Sequence, residues 1–232
     1  MARAKAAEVR EELAAARKRW GWSPSDIVNL LRGGGNSSKG SAYERDTCRL
    51  LSRWWTGEGR DDVFWRSAGS GARAKVRGRS GRDTAGQHGD IAATDPIGAA
   101  LISVFTIELK RGYSDSTIFD LLDRAPTAGE QGWEGFLAQT IESADQAGSR
   151  TWLLIARRDR RQPTAWMPSS ALAALRGVGA FVKGLPNPLA RLRVSLRHLG
   201  EGPQRVDVCG MTLGAWLDGI RPKHVHRLEA TR

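Results

Sequence analysis

Two apolar runs constrain the fold of this chain more than any other feature. Residues 101–110 and 151–156 consist mainly of large apolar or β-branched residues, and each has the length of a strand. Such runs are typical of strands buried inside a sheet. Helical patterns lie between them along the chain. The sequence therefore predicts an α/β fold with a mixed central sheet flanked by helices.

Hydrophobic periodicity and capping signals predict the remaining elements. Helices are expected at 3–19, 24–32, 41–55, 116–124 and 133–147, and further strands at 63–66, 87–94 and 164–167. The turn sequence at 95–98 predicts that strands 87–94 and 101–110 form a hairpin. Beyond Ser169 we expect a short helix to Leu175, a strand within 191–199 and a helix that begins at Thr212.

The charge of the chain favours a polyanionic partner. The sequence has 36 Lys and Arg residues against 25 Asp and Glu residues, a formal net charge of +11. Each phosphate neutralised by a basic side chain releases condensed counterions, so this excess favours nucleic acid. General arginine enrichment, as in a GC-rich genome, is the alternative explanation.

A basic loop at 68–89 concentrates part of this charge. It has many Gly, Ser and basic residues and almost no large apolar ones. Long loops within a compact domain are usually functional or disordered. Its candidate phosphate contacts are Arg73, Lys75, Arg77, Arg79 and Arg82, and a solvated, flexible loop is the alternative.

The glycine-rich stretch at 33–38 has the composition of a linker. We therefore divide the chain into an N-terminal helical arm (1–35), a core (36–168) and a C-terminal extension (169–232). The arm either holds a partner subunit or lies on nucleic acid, and the sequence favours neither.

Cysteine content and hydropathy indicate the compartment. Cys48 and Cys209 could form one disulfide at most, and a chain of this size with its own core does not need one. The charged N-terminus lacks the apolar stretch of a signal peptide, and no segment approaches the roughly 20 apolar residues of a membrane span. We expect a cytoplasmic protein without a membrane partner.

Candidate catalytic residues occur on the predicted strands and on the helix before them. Side chains alternate along a strand, so Glu108 and Lys110 project to the same side. If strand 87–94 pairs with this strand, Asp90 joins them. Glu44 lies four residues before Cys48 on helix 41–55, along its apolar stripe, where a carboxylate is unfavourable without a partner.

Two carboxylates this close repel each other unless a cation lies between them. Mg²⁺ is commonly bound by one or two carboxylates with water and substrate phosphate. We therefore expect Asp90, Glu108 and the backbone carbonyl of Leu109 to bind Mg²⁺, with Glu44 on a second ion or a coordinated water. Lys110 would orient the attacking water and stabilise charge in the transition state. A surface strand with a Glu/Lys ion pair is the alternative.

These residues resemble the PD-(D/E)xK nuclease superfamily, which includes restriction endonucleases, Holliday-junction resolvases and many phage nucleases. The match consists of Glu44 on a helix, Gly89-Asp90-Ile91, and Glu108-Leu109-Lys110 at the end of an apolar strand. It covers residues 40–167, and phage-encoded and resolvase-like members are the most similar. Gly89 stands where the motif name has proline.

The resemblance implies a restriction-endonuclease-like core and assigns the residue roles. Asp90 and Glu108 would bind the metal, Lys110 would serve catalysis, and Glu44 would assist. Gln139, on helix 133–147, is a further candidate contact to water or phosphate, with a solvated glutamine as the alternative.

Four more residues flank the proposed site as candidate phosphate contacts: Arg66, Ser67, His88 and Arg111. Arg66 could equally pair with a carboxylate, and His88 could cap a strand hydrogen bond.

We therefore expect a Mg²⁺-dependent endodeoxyribonuclease, with Mn²⁺ as a substitute, in which water attacks phosphorus directly. Its substrate would be duplex DNA, a Holliday junction or a flap, and the resemblance also implies a homodimer in a bacterial or phage-infected cell. An exonuclease on the same core is the enzymatic alternative. A non-cleaving DNA-binding or packaging-associated protein on this fold is the alternative from another class.

Overall fold

The structure is a computed structural model that describes residues 36–57, 59–67, 88–113, 116–123, 132–196 and 204–231. The predicted arm at 1–35 and almost all of the predicted basic loop lie outside these residues.

The described chain contains both strands and helices. The strands are β1 (Phe64–Arg66), β2 (Ile91–Ala93), β3 (Phe105–Gly112), β4 (Thr151–Arg158), β5 (Thr164–Pro168), β6 (Ala190–Leu196) and β7 (Gln204–Thr212). The α-helices are α1 (Asn36–Thr56), α2 (Ala99–Val104), α3 (Asp120–Asp123), α4 (Trp133–Ala147), α5 (Ser169–Gly177), α6 (Leu213–Gly219) and α7 (Pro222–Ala230). A 3-10 helix at Pro96–Gly98 precedes α2.

A mixed five-stranded sheet forms the centre, in the order β3-β4-β5-β7-β6. Strands β3 and β4 are parallel, with Glu108 opposite Leu154 and Lys110 opposite Ala156, and the other pairs are antiparallel. Strand β3 therefore occupies one edge. The small β1–β2 sheet lies beside it, joined through the Asp90 N–H, which donates to the Ile107 carbonyl at 2.8 Å. The predicted α/β architecture with a mixed sheet is confirmed.

Two apolar layers cover the sheet because β4 alternates its side chains between the faces. Leu153 and Ile155 pack into the larger layer with α1, α2, α5, α6 and α7. Trp152 and Leu154 pack into the smaller layer, where α4 contributes Trp133, Phe136 and Leu137. This arrangement puts α1 and α4 on opposite faces near β3.

Several predicted elements are confirmed. The predicted helix at 133–147 is α4, and it ends at Gly148, whose left-handed φ of 59° is typical of a glycine after a helix. The strands predicted at 151–156 and 164–167 correspond to β4 and β5, which are antiparallel neighbours. Helix α1 begins at Asn36, so it includes residues predicted as part of the linker.

The predicted hairpin between 87–94 and 101–110 is wrong. Strand β2 pairs with β1, and the chain forms the 3-10 helix and α2 before β3 begins at Phe105. Asp95 explains the difference, because its side chain accepts from the Ile97 N–H at 3.0 Å and Pro96 takes the first helical position. Both are helix-start signals that also occur in turns.

The chain beyond residue 168 continues the same sheet. Strand β7 pairs with β5, and β6 pairs with β7. The predicted helix to Leu175 is α5, the predicted strand overlaps β6, and Thr212 caps α6 by accepting from the Ala215 N–H at 3.1 Å. Strand β7 and helix α7 were not predicted. The boundary at residue 168 stays a prediction, although the sheet itself extends past it.

Candidate active site

The outer edge of β3 is where the predicted carboxylates meet. Glu108 and Lys110 lie on the face of β3 that α4 covers, and Asp90 reaches the same edge from the residue before β2. The site therefore combines a strand edge, a helix and an irregular segment.

Backbone contacts fix Asp90 against β3. Its N–H donates to the Ile107 carbonyl at 2.8 Å, and its Oδ2 accepts from the Leu109 N–H at 2.8 Å. The Ser67 N–H donates to the Asp90 carbonyl at 3.0 Å. These bonds hold the buried Asp90 carboxylate beside Glu108.

Gly89 makes this approach possible. Its φ is 77°, and an added Cβ would lie 2.8 Å from the Ile107 carbonyl oxygen. Proline is confined to φ near −65°, so it cannot occupy this position. The departure from the motif name therefore has a local structural cause.

Glu108 is 1% exposed and hydrogen-bonded at both oxygens. Its Oε1 accepts from Ser143 Oγ at 3.0 Å, and its Oε2 accepts from Gln139 Nε2 at 3.1 Å. Lys110 Nζ lies 3.4 Å from Oε2 and donates to Gln139 Oε1 at 3.0 Å. Helix α4 thus holds both reactive side chains of β3.

The surroundings of Glu108 disfavour its ionised form. Burial raises its pKa to about 7, the nearby Asp90 charge adds to the rise, and Lys110 and Ser143 act in the opposite direction. Burial, together with the Asp90 charge, therefore outweighs the effect of Lys110 on this pKa.

Glu44 projects from α1 towards the same edge, where Arg66 of β1 donates to its Oε2. Burial raises the pKa of Glu44, the Arg66 hydrogen bond lowers it, and the Asp90 charge raises it further. The predicted carboxylate pairing of Arg66 is thus present in the structure.

The model of the family described as "Phage putative PDDEXK endonuclease" matches residues 35–227, most of the length of this chain. The chain belongs to this family. It is thereby a member of the PD-(D/E)xK superfamily, and it carries that superfamily's restriction-endonuclease-like core. No curated protein and no solved structure matches it. None of the described helices is both long and apolar enough to cross a membrane.

Arg66 holds the Glu44 carboxylate at the edge of the candidate site. Within the described ranges, no group of three or more His, Cys, Asp or Glu side chains could hold a metal ion. The predicted role of Glu44, on a second ion or on a coordinated water, stays a prediction.

Two of the predicted phosphate contacts are enclosed in the endonuclease. Ser67 is buried and donates from Oγ to the Gly89 carbonyl at 2.6 Å, so it braces the Asp90 segment. The Arg111 side chain is also enclosed, on the opposite face of β3 from Lys110, with its guanidinium 5.7 Å from the Tyr43 ring. Their predicted phosphate contacts stay a prediction.

The remaining predicted contacts are His88 and the loop residues. His88 is half-buried two residues before Asp90. The loop residues Arg73, Lys75, Arg77, Arg79 and Arg82 lie outside the described residues, and their role stays a prediction.

Ser143 is a site residue that the sequence reasoning missed. It lies four residues after Gln139, so both occupy one face of α4, and both contact Glu108. This spacing was visible in the sequence and could have identified Ser143 once Gln139 was a candidate.

The donor set fits Mg²⁺ chemically. Two carboxylates and a strand carbonyl are oxygen donors, and Mg²⁺ sites commonly use only one or two protein carboxylates. The raised pKa of Glu108 also indicates a place where added positive charge is favourable. A structural zinc site, in contrast, needs four ligands such as Cys and His.

Proposed function

We propose that this family member is a metal-dependent endodeoxyribonuclease that hydrolyses phosphodiester bonds with water. The observation that carries the proposal is the pairing of Asp90 and Glu108 at the β3 edge, with Lys110 held next to them by Gln139. Membership in an endonuclease family supports hydrolysis of nucleic acid in general.

We propose Mg²⁺ as the ion, with Mn²⁺ as a substitute. Asp90, Glu108 and the Leu109 carbonyl would hold it. When bound, such an ion supplies Lewis-acid stabilisation of the phosphoryl group. It would also offset the repulsion between the two carboxylates.

The protein's own groups have distinct tasks in this proposal. Lys110 Nζ is fixed by Gln139 Oε1 at 3.0 Å, so its charge is directed before substrate arrives. Such preorganised charge stabilises the negative charge that develops on the phosphate. Glu44, oriented by Arg66, would accept a hydrogen bond from the attacking water.

DNA is the proposed substrate, and the net charge of +11 supports a polyanion. Arg73, Lys75, Arg77, Arg79, Arg82 and His88 are proposed to contact its backbone. Branched DNA as the preferred substrate and a homodimer as the active form are further proposals from the superfamily.

The test is cleavage of supercoiled plasmid and of a synthetic four-way junction in Mg²⁺, Mn²⁺ or EDTA. We expect metal-dependent nicking by the wild-type chain and its loss in Asp90→Ala and Lys110→Ala. Faster cleavage of the junction would support the branched substrate. Tight DNA binding without cleavage in either metal would overturn the proposed nuclease activity. It would favour a non-cleaving DNA-binding or packaging-associated protein.

A further inference from the structure

The end of β3 changes the direction of its next side chain. Continued alternation would put Tyr113 on the face of Leu109 and Arg111, away from Lys110. Gly112 has a φ of 104°, which breaks the extended conformation. The Tyr113 ring lies instead against Phe136 of α4, with centroids 4.6 Å apart and planes inclined by 62°. Tyr113 is therefore on the side of the sheet that holds the candidate active site.

Phe136 connects Tyr113 to the proposed catalytic lysine. Lys110 Nζ lies 5.8 Å from the centroid of the Phe136 ring, within the range of a cation–π contact. The same helix supplies Gln139 and Ser143 to Glu108. Tyr113 and the reactive groups thus have a common support in α4.

Tyr113 is exposed although its neighbour is not. It is 52% accessible, whereas Phe136 is buried. Among the described residues, Trp65 and Phe119 are the other exposed aromatic side chains. Tyr113 differs from them because its ring contacts the aromatic side chain that packs beside Lys110.

We propose that Tyr113 stacks on an unpaired nucleobase next to the scissile phosphodiester, an inference that rests on the proposed nuclease function. An exposed aromatic ring that packs against a neighbouring ring suits such stacking, which tolerates any base. Bases inside a continuous duplex already stack on each other and offer no free face. The substrate class is therefore DNA with an unstacked nucleotide at the cut, such as a single strand, a flap or a branch point.

The test combines Tyr113→Ala with abasic sites in the DNA. Affinity is measured in EDTA by fluorescence anisotropy, for a single-stranded oligonucleotide, its duplex and single strands with an abasic site at successive positions. We expect Tyr113→Ala to weaken single-strand binding about fivefold or more, the lower range for base stacking. Duplex affinity should not change, and Tyr113→Phe should bind like the wild type.

The decisive result is whether the effects of Tyr113→Ala and of an abasic site on binding affinity are coupled. At one position the abasic site should weaken binding by the wild-type chain and have no further effect in Tyr113→Ala. The absence of such a position, or an equal loss on single strand and duplex, would overturn the proposal. Phe119→Ala, which removes another exposed ring, is the matched control and should show no coupling.

Gly112→Ala tests the same placement without removing the ring. Its Cβ meets no atom within 4 Å, so its effect comes from the positive φ. We expect Gly112→Ala to make the abasic site ineffective, as expected for Tyr113→Ala. An abasic site that still weakens binding by Gly112→Ala would contradict the role assigned to Gly112.

The binding readout separates this inference from the nuclease proposal. If Tyr113→Ala and the abasic site are coupled but the wild-type chain nicks no plasmid, the nuclease proposal is overturned and base stacking by Tyr113 is retained. Nicking without coupling would retain the nuclease and overturn the role of Tyr113.

Discussion

Two ion pairs on the same sheet differ in almost every physical respect. Arg193 and Asp207 pair across β6 and β7 at 2.7 and 3.0 Å, with both side chains largely exposed. Lys110 and Glu108 pair at 3.4 Å at the opposite edge, with both side chains nearly enclosed. The Arg193 hydrogen bond lowers the pKa of Asp207, whereas burial raises that of Glu108.

The comparison shows that good pair geometry does not indicate a functional site. The exposed pair has two short hydrogen bonds, and water already solvates both charges well. The buried pair has a longer contact and a second carboxylate nearby, so it favours additional positive charge. This preference for added positive charge is what supports the proposed cation.

The largest expected effect is the loss of cleavage activity in the variant Glu108→Gln. The amide keeps the size of the side chain but removes its charge, so activity should fall on the order of a thousandfold or more in an Mg²⁺-dependent nicking assay. Asp207→Asn makes the same chemical change in the exposed pair and should cut like the wild type. Equal losses in the two variants would refute the distinction between the pairs.

The second effect is the pH dependence of stability. The folded-state pKa of Glu108 is about 7 against an ordinary value of 4.5. Between these values the native state binds more protons than the unfolded state. The contribution of Glu108 to the free energy of unfolding is therefore lost as pH rises from 4.5 to 7. In EDTA at pH values above this window, the free energy of unfolding of Glu108→Gln should exceed that of the wild type by up to about 3 kcal/mol.

Urea unfolding of both chains across this pH range measures the difference. Adding Mg²⁺ should stabilise the wild type above the window and leave Glu108→Gln unchanged. A constant difference at all pH values would mean that Glu108 titrates normally. The lowered pKa of Asp207 has the opposite sign, but this carboxylate is exposed, so its effect on the free energy of unfolding should be too small to measure.

A smaller effect is expected from Ser143→Ala. It removes the 3.0 Å hydrogen bond to Glu108 Oε1 and leaves Gln139 on Oε2. Loss of such an orienting partner should reduce activity about tenfold. Because that bond lowers the pKa of Glu108, its loss should also move the acid limb of the pH–activity profile to higher pH. Ser143→Thr, which keeps the hydroxyl, should recover most of the activity.

The smallest effect should come from Arg193→Ala. Both partners of this pair are exposed, so we expect no measurable change in the unfolding midpoint or in cleavage rate. A clear loss of cleavage alone would assign the β6 edge to DNA contact.

The sequence predicted which side chains share a face of β3 better than it predicted the elements around that strand. Residue alternation put Glu108 and Lys110 on one face, and the structure agrees. The predicted hairpin was wrong because Asp95 and Pro96 serve turns and helix starts equally well. Ser143 was missed although it lies four residues after Gln139, because a serine at this spacing points to a site only when Gln139 is already placed beside Glu108.

By itself, the sequence determined the fold class and which side chains share one face of β3 with Lys110. These follow from local periodicity and residue chemistry. Tertiary structure alone decided that Gly89 brings Asp90 to β3, that Arg66 holds Glu44, and that Arg111 is enclosed. Burial and the pKa of a carboxylate depend on residues distant in sequence, so no local pattern contains them.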